Sequence, residues 1–149
     1  MSQTQDLPSL FGRFTTILQD HEHLVKTMRA LRSMCSSLEA DQAATTPAID
    51  PHALITQLRA DLAEHFSAEE SPGYFGIVMS EAPSLVTQVA GLKWEHLAML
   101  RAADALCEMT KDRARWRDVP EPARQLMAQL EQHERAESTL LRGLFRPSQ

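Results

Sequence analysis

The side chains with the greatest chemical reach in this sequence are six histidines, at 21, 23, 52, 65, 96 and 133. An imidazole can carry a proton near neutral pH or ligate a metal ion. Two of the six have a carboxylate four residues on, in His65-Phe-Ser-Ala-Glu69 and His133-Glu-Arg-Ala-Glu137. On a helix this spacing puts both groups of each pair on one face. The flanking residues say which face. His21 sits between Ile17, Leu18 and Leu24, Val25, Met28. His65 follows Leu58 and Leu62, His96 lies between Leu92 and Met99, and His133 lies between Leu130 and Leu140. All four therefore fall in apolar stripes and are expected to point inward. His23 is about 200° around the helix from His21. It shares its side with Gln19, Asp20, Lys26 and Thr27 and is expected in solvent. His52, in the first turn of its segment, is expected at the surface.

Four histidines and two glutamates aimed at one interior need compensation, because a buried carboxylate or imidazole without a partner is costly. A network in which each Glu bonds a His is one answer. A metal ion is another, since imidazole nitrogen and carboxylate oxygen both ligate borderline divalent ions. His21, His65, Glu69, His96, His133 and Glu137 exceed the four ligands of a structural zinc site. Two carboxylates can bridge two ions about 3.5–4 Å apart, as in two-metal sites, while histidines fill terminal positions. Mixed His/carboxylate ligation suits iron, with manganese and zinc as competitors. Such a set leaves part of the roughly twelve positions of two octahedral ions open. Dioxygen, peroxide or nitric oxide could bind there.

The elements that must position these groups read as helices. A first segment runs from about Pro8 to Glu39, and the polar stretch EADQAATTPAID follows as a linker. Asp50-Pro51 opens the second, an N-cap followed by proline at the first helical position. It ends near Glu70, at Ser71-Pro72-Gly73. The piece YFGIVMSEA reads as an extra helical turn or two packing over one end. The third long segment starts near Pro83 and fades near Arg115. WRDVPEP is a turn, and the fourth segment runs from about Glu121 to Leu144. Four long amphipathic helices with short to moderate connections predict an all-α, antiparallel up-down-up-down four-helix bundle in one domain. The halves also look alike. Aligning His21 with His96 matches Leu24, Val25, Met28 and Leu31 with Met99, Leu100, Ala103 and Leu106.

Bulk properties fit this reading and exclude others. The chain has 149 residues, 43% apolar and 5% aromatic, enough for one core and biased toward helix. A net charge of −5 argues against nucleic acid as the main partner. No apolar run of membrane-spanning length occurs, and the N-terminus shows no secretory pattern. Cys35 and Cys107 have neither zinc-type spacing nor a disulfide framework and are expected as buried, reduced thiols of a cytoplasmic protein.

The ordered set DHEHLVKTMRAL, LAEHFSAEE, LKWEHLAML and LEQHERAESTLL resembles the hemerythrin-like family, also called HHE cation-binding domains, over residues 9–145. EESPGYFGIVMSEAPSL resembles the stretch between the second and third helices of bacterial members. The resemblance implies a bundle with a non-haem di-iron centre. His21, His65, His96 and His133 would be terminal ligands, and Glu69 and Glu137 bridges. Oxygen-carrying hemerythrins have a second histidine four residues from the first on the third helix; here those positions are Leu92 and Leu100. Their last carboxylate is an Asp five residues after its His; here it is Glu137, four after His133. The chain thus looks more like histidine-poor bacterial and iron-sensing members than like a carrier. Glu70 or Tyr74 could fill the vacant position, with Glu70 better read as surface. Glu22, Glu95 and Glu134, each beside a proposed ligand, are expected to be solvated.

Three functions follow as expectations. The first is a metal-binding protein that binds or senses dioxygen, nitric oxide, peroxide or iron. The second is a di-iron oxidase or peroxidase. The third is a metal-free helical interaction module. A monomer and a dimer are both compatible with the sequence.

Overall fold

The computed structural model describes residues 7–40, 49–70 and 74–145, without the side chains of 7–21, Tyr74, Ile77, Leu141 and 143–145. Its described residues form helices and no strand. The α-helices are α1 (Leu7–Ala40), α2 (Pro51–Glu70), α3 (Tyr74–Glu81), α4 (Val86–Thr110) and α5 (Pro120–Phe145). Short 3₁₀ turns at Pro83–Leu85 and Arg113–Asp118 lead into α4 and toward α5. None of the described helices is long and apolar enough to cross a membrane.

Local chemistry sets the boundaries. Asp50 caps α2: its Oδ1 accepts from the His52 amide at 3.0 Å, and Pro51 occupies the first helical position without wasting a donor. Asp112 does the same for the 3₁₀ turn, accepting from the Ala114 amide at 3.0 Å. Trp116 then ties that turn back to α4, its indole N–H donating to the Thr110 carbonyl at 2.8 Å. The stretch WRDVPEP, expected as a turn, divides: residues 116–118 end the 3₁₀ turn, Val119 is buried at the junction, and residues 120–122 already form the first turn of α5.

The long helices pack in a ring: α1 against α2 and α5, and α4 against α2 and α5. Two apolar clusters fill it. The larger joins Leu24, Leu31 and Met34 of α1 to Ile55, Leu58, Leu62 and Phe66 of α2. It continues through Met99, Ala103 and Leu106 of α4 to Leu126 and Leu130 of α5. The smaller gathers Phe75 and Val78 of α3, Val89 and Leu92 of α4, and Leu140 of α5. The piece YFGIVMSEA is therefore a short helix that closes the second cluster. Along α4 the order is Leu92, His96, Met99; along α5 it is Leu130, His133, Glu137, Leu140. The inward histidines sit where one cluster gives way to the other.

Some expected surface and core positions differ. Val25 is 41% exposed, at the edge of its stripe. Thr27, placed by the sequence on the solvent side with His23, is buried. Its hydroxyl donates to Asp61 Oδ2 at 3.0 Å, and Gln57 donates to Asp61 Oδ1 at 2.8 Å. His23 is indeed exposed, but its Nε2 lies 3.2 Å from the same buried Asp61. His52 is only half-exposed, with Nδ1 3.0 Å from Thr110 Oγ1. Cys35 is buried and Cys107 half-buried, both as free thiols.

Leu58 is 1% exposed at the centre of the large cluster. Leu58→Ala should destabilise the protein by about 2–5 kcal/mol, through lost burial and an unfilled cavity. The exposed Trp94, replaced by Ala, should change stability by less than about 0.5 kcal/mol. Urea unfolding followed by circular dichroism reads both.

Candidate metal centre

Three helices deliver five of the six expected ligands to one point. His65, Glu69, His96, His133 and Glu137 are all at most 5% exposed. His65 Nε2 lies 2.6 Å from Glu69 Oε1, and His96 Nε2 lies 3.1 Å from Glu69 Oε2. His133 Nε2 lies 2.5 Å from Glu137 Oε1, and His96 Nε2 lies 3.5 Å from the same oxygen. The Nε2 atoms of His96 and His133 are themselves 3.0 Å apart. Donors bound about 2.1 Å from a common ion stand roughly 3–4 Å from one another; the His96–Glu69, His96–Glu137 and His96–His133 distances fall in that range, and the His65–Glu69 and His133–Glu137 contacts are shorter.

The angles matter as much as the distances. Both oxygens of Glu69 are fully buried and accept no hydrogen bond of proper geometry, despite the short contacts. A fully buried carboxylate in that condition is expensive. The His65 and His96 contacts also fall on different Glu69 oxygens. Two overlapping groups of donors converge within 4.8 Å: Glu69, His96, His133, Glu137, and His65, Glu69, Glu134, Glu137. Glu69 and Glu137 belong to both. This buried His/Glu cluster could hold a metal ion.

The other expected ligand sites fare differently. The backbone of His21 lies on α1, but its side chain, like that of Tyr74, falls outside the described residues. Glu70 is 38% exposed at its side chain, with Oε1 3.6 Å from His96 Nδ1; it stands behind that imidazole and outside both donor groups. Glu134 is a correction, since it was expected in solvent, whereas Glu95 is exposed as expected. Glu134 is 14% exposed at its side chain, and its Oε1 reaches within 3.3 Å of His65 Nε2. Glu95 nonetheless places its Oε2 2.6 Å from His133 Nδ1. A carboxylate on Nδ1 fixes an imidazole with Nε2 toward the centre, the arrangement common behind metal-bound histidines.

Rings enclose the centre. Phe66 stacks on His96 with centroids 3.9 Å apart and planes 9° from parallel, and Phe75 stacks on it at 5.4 Å. Two pockets open between α4 and α5, and Glu95 lines both. One, of about 200 Å³, is lined by Ala98, Met99, Gln129, Gln132 and His133 as well. The other, of about 480 Å³, runs past Leu85, Gln88, Leu92 and Leu140. The smaller reaches His133 itself.

No protein-family model, no curated protein and no solved structure matches the chain. The site's chemistry therefore has to be read from its own groups.

Without a metal ion, protons are the available compensation. Burial by itself lowers the His65 pKa, but the Glu134 and Glu69 carboxylates outweigh it and push it up to about 10. Burial likewise opposes charge on His133, and Glu137, Glu95 and Glu69 push it up to about 9. Burial pushes Glu137 up to about 7, aided by Glu69 and opposed by His133 and His96. All three hold protons more tightly folded than unfolded, where 4.5 and 6.5 are the ordinary values for Glu and His. Stability from a raised pKa is fully present below the unfolded value and is lost as pH climbs through the folded one. Chelator-treated protein should thus melt at falling temperatures as pH is raised from about 5 to about 9. Melting curves across that range check it; a flat or rising profile contradicts it.

Glu95→Gln loses the carboxylate behind His133 and should weaken metal affinity about 10–100-fold. Competition with a fluorescent chelator reads this.

Proposed function

We propose that the chain is a hemerythrin-like, non-haem di-iron protein that binds or senses a small ligand or iron itself. The carrying observation is the split of Glu69, one oxygen at His65 and the other at His96, inside a buried cluster it shares with Glu137. One ion would take His96 and His133, the other His65 and, by the resemblance, His21, with both carboxylates between them. Iron is favoured over manganese and zinc by the mixed imidazole and carboxylate donors. Bound there, two such ions would supply redox chemistry and open positions for dioxygen, nitric oxide or peroxide.

The order of residues supports the up-down-up-down antiparallel bundle that the resemblance implies. Passing from the small cluster to the large one, α4 runs forward from Leu92 to Met99, whereas α5 runs backward from Leu140 to Leu130. The work of the chain's own residues is then definite. Glu95 orients His133, Phe66 and Phe75 keep water from His96, and the α4–α5 pockets admit the small ligand. Those pockets also favour a second reading, a di-iron oxidase or peroxidase, in which Glu95 would stand at the substrate's entry.

Protein purified without chelator should carry roughly two iron ions per chain, and the His65→Ala/His133→Ala variant should lose them while keeping its helical circular dichroism. Elemental analysis decides. Zinc alone would remove the redox reading, and no metal in either protein would leave a helical interaction module.

A further inference from the structure

The internal likeness of the two halves breaks beside the histidine of each His-x-x-x-Glu motif. Superposing His65-x-x-x-Glu69 on His133-x-x-x-Glu137 sets Phe66 against Glu134. Each residue lies about 100° round its helix from the preceding histidine. Phe66 lays an apolar ring on His96 at 3.9 Å. Glu134 instead brings a carboxylate oxygen with under 1 Å² of exposed surface to 3.3 Å from His65 Nε2, within the 4.8 Å donor group of His65, Glu69 and Glu137. The half-sites therefore differ in kind. One offers two imidazoles and two carboxylates under aromatic cover; the other offers one described imidazole and three carboxylates.

We propose that Glu134 is a metal ligand, joining His65 at its half-site, and that it makes the two half-sites chemically unequal. This rests on the metal reading above and deepens it. Carboxylate-rich donor sets suit harder ions such as Mn²⁺, and imidazole suits Fe²⁺ and Zn²⁺. The His96/His133 half-site takes the borderline ion and the His65/Glu134 half-site takes the harder one. His21 would add an imidazole to the latter and still leave it the richer in carboxylate. On this account the chain loads metals in two resolved steps and accepts a mixed pair. Glu134 lies three residues before Glu137 and one after His133, so a single turn of α5 serves both half-sites.

The test is titration of chelator-treated protein with one equivalent of Zn²⁺ followed by Mn²⁺, with free Mn²⁺ read from its paramagnetic resonance signal. The native chain should bind both, and Glu134→Gln should keep the Zn²⁺ step while weakening Mn²⁺ binding at least about tenfold, the scale of a lost site interaction. Glu134→His, which restores a donor but a softer one, should recover a second step that prefers Zn²⁺ to Mn²⁺. A merely structural role for Glu134 would not reverse that preference. Native-like Mn²⁺ binding by Glu134→Gln would overturn the ligand role alone. So would loss of both steps in both variants while the native chain binds two ions. A native chain that binds neither metal would overturn the metal reading itself.

Discussion

The cost of burying Glu69 governs this structure. The carboxylate is wholly removed from solvent, and neither oxygen accepts a properly formed hydrogen bond. Burying an ionised carboxylate without compensation costs several kcal/mol even after relaxation. Everything arranged around Glu69 makes sense as compensation by positive charge. Imidazoles from α2, α4 and α5 converge on it, a second carboxylate adds to the negative charge they must offset, and the neighbouring carboxylates push the pKa values of His65 and His133 up, as expected where protons supply that charge. Two metal ions would meet it with fixed charge and directed lone-pair bonds.

The surrounding fold is what makes that demand sustainable. The large cluster supplies the burial that stabilises four long helices, and the small cluster under α3 seals the other side of the site. Interhelical ion pairs, Arg59–Asp104 between α2 and α4 and Arg124–Glu39 between α5 and α1, lie at the exposed rim, where such pairs are worth roughly 0–1 kcal/mol. The buried Thr27–Asp61 bond ties α1 to α2 more firmly, because its acceptor is shielded and also held by Gln57. The scaffold can thus hold polar groups inside at positions that packing alone would not tolerate.

Much of the site was legible because helical spacing is rigid. The four-residue separation in His65–Glu69 and His133–Glu137 put both carboxylates on the inward face, and they are there. Asp50-Pro51 marked the start of α2 for the same local reason. What escaped was the second row. Glu134 and Glu95 each neighbour a ligand, about 100° off its stripe, and that angle reads as solvent on an isolated helix. In a ring of helices the flank of one stripe faces the next helix. Glu134 of α5 meets His65 of α2, and Glu95 of α4 meets His133 of α5. Only packing creates those neighbours. Thr27 and Asp61 escaped likewise, because each is polar and becomes buried only through the other. His21 and Tyr74 are the two expectations whose side chains fall outside the described residues.

The most direct measurement is thermal unfolding of the metal-free protein at neutral pH, without oxygen, before and after ferrous iron is added. If the cluster is built around metal, iron at one hundred times its dissociation constant should stabilise the fold by about 2.7 kcal/mol or more, seen as a clear rise in melting temperature. An unchanged melting temperature at saturating iron would contradict the account, leaving the buried histidines and glutamates as a polar network that protons alone sustain.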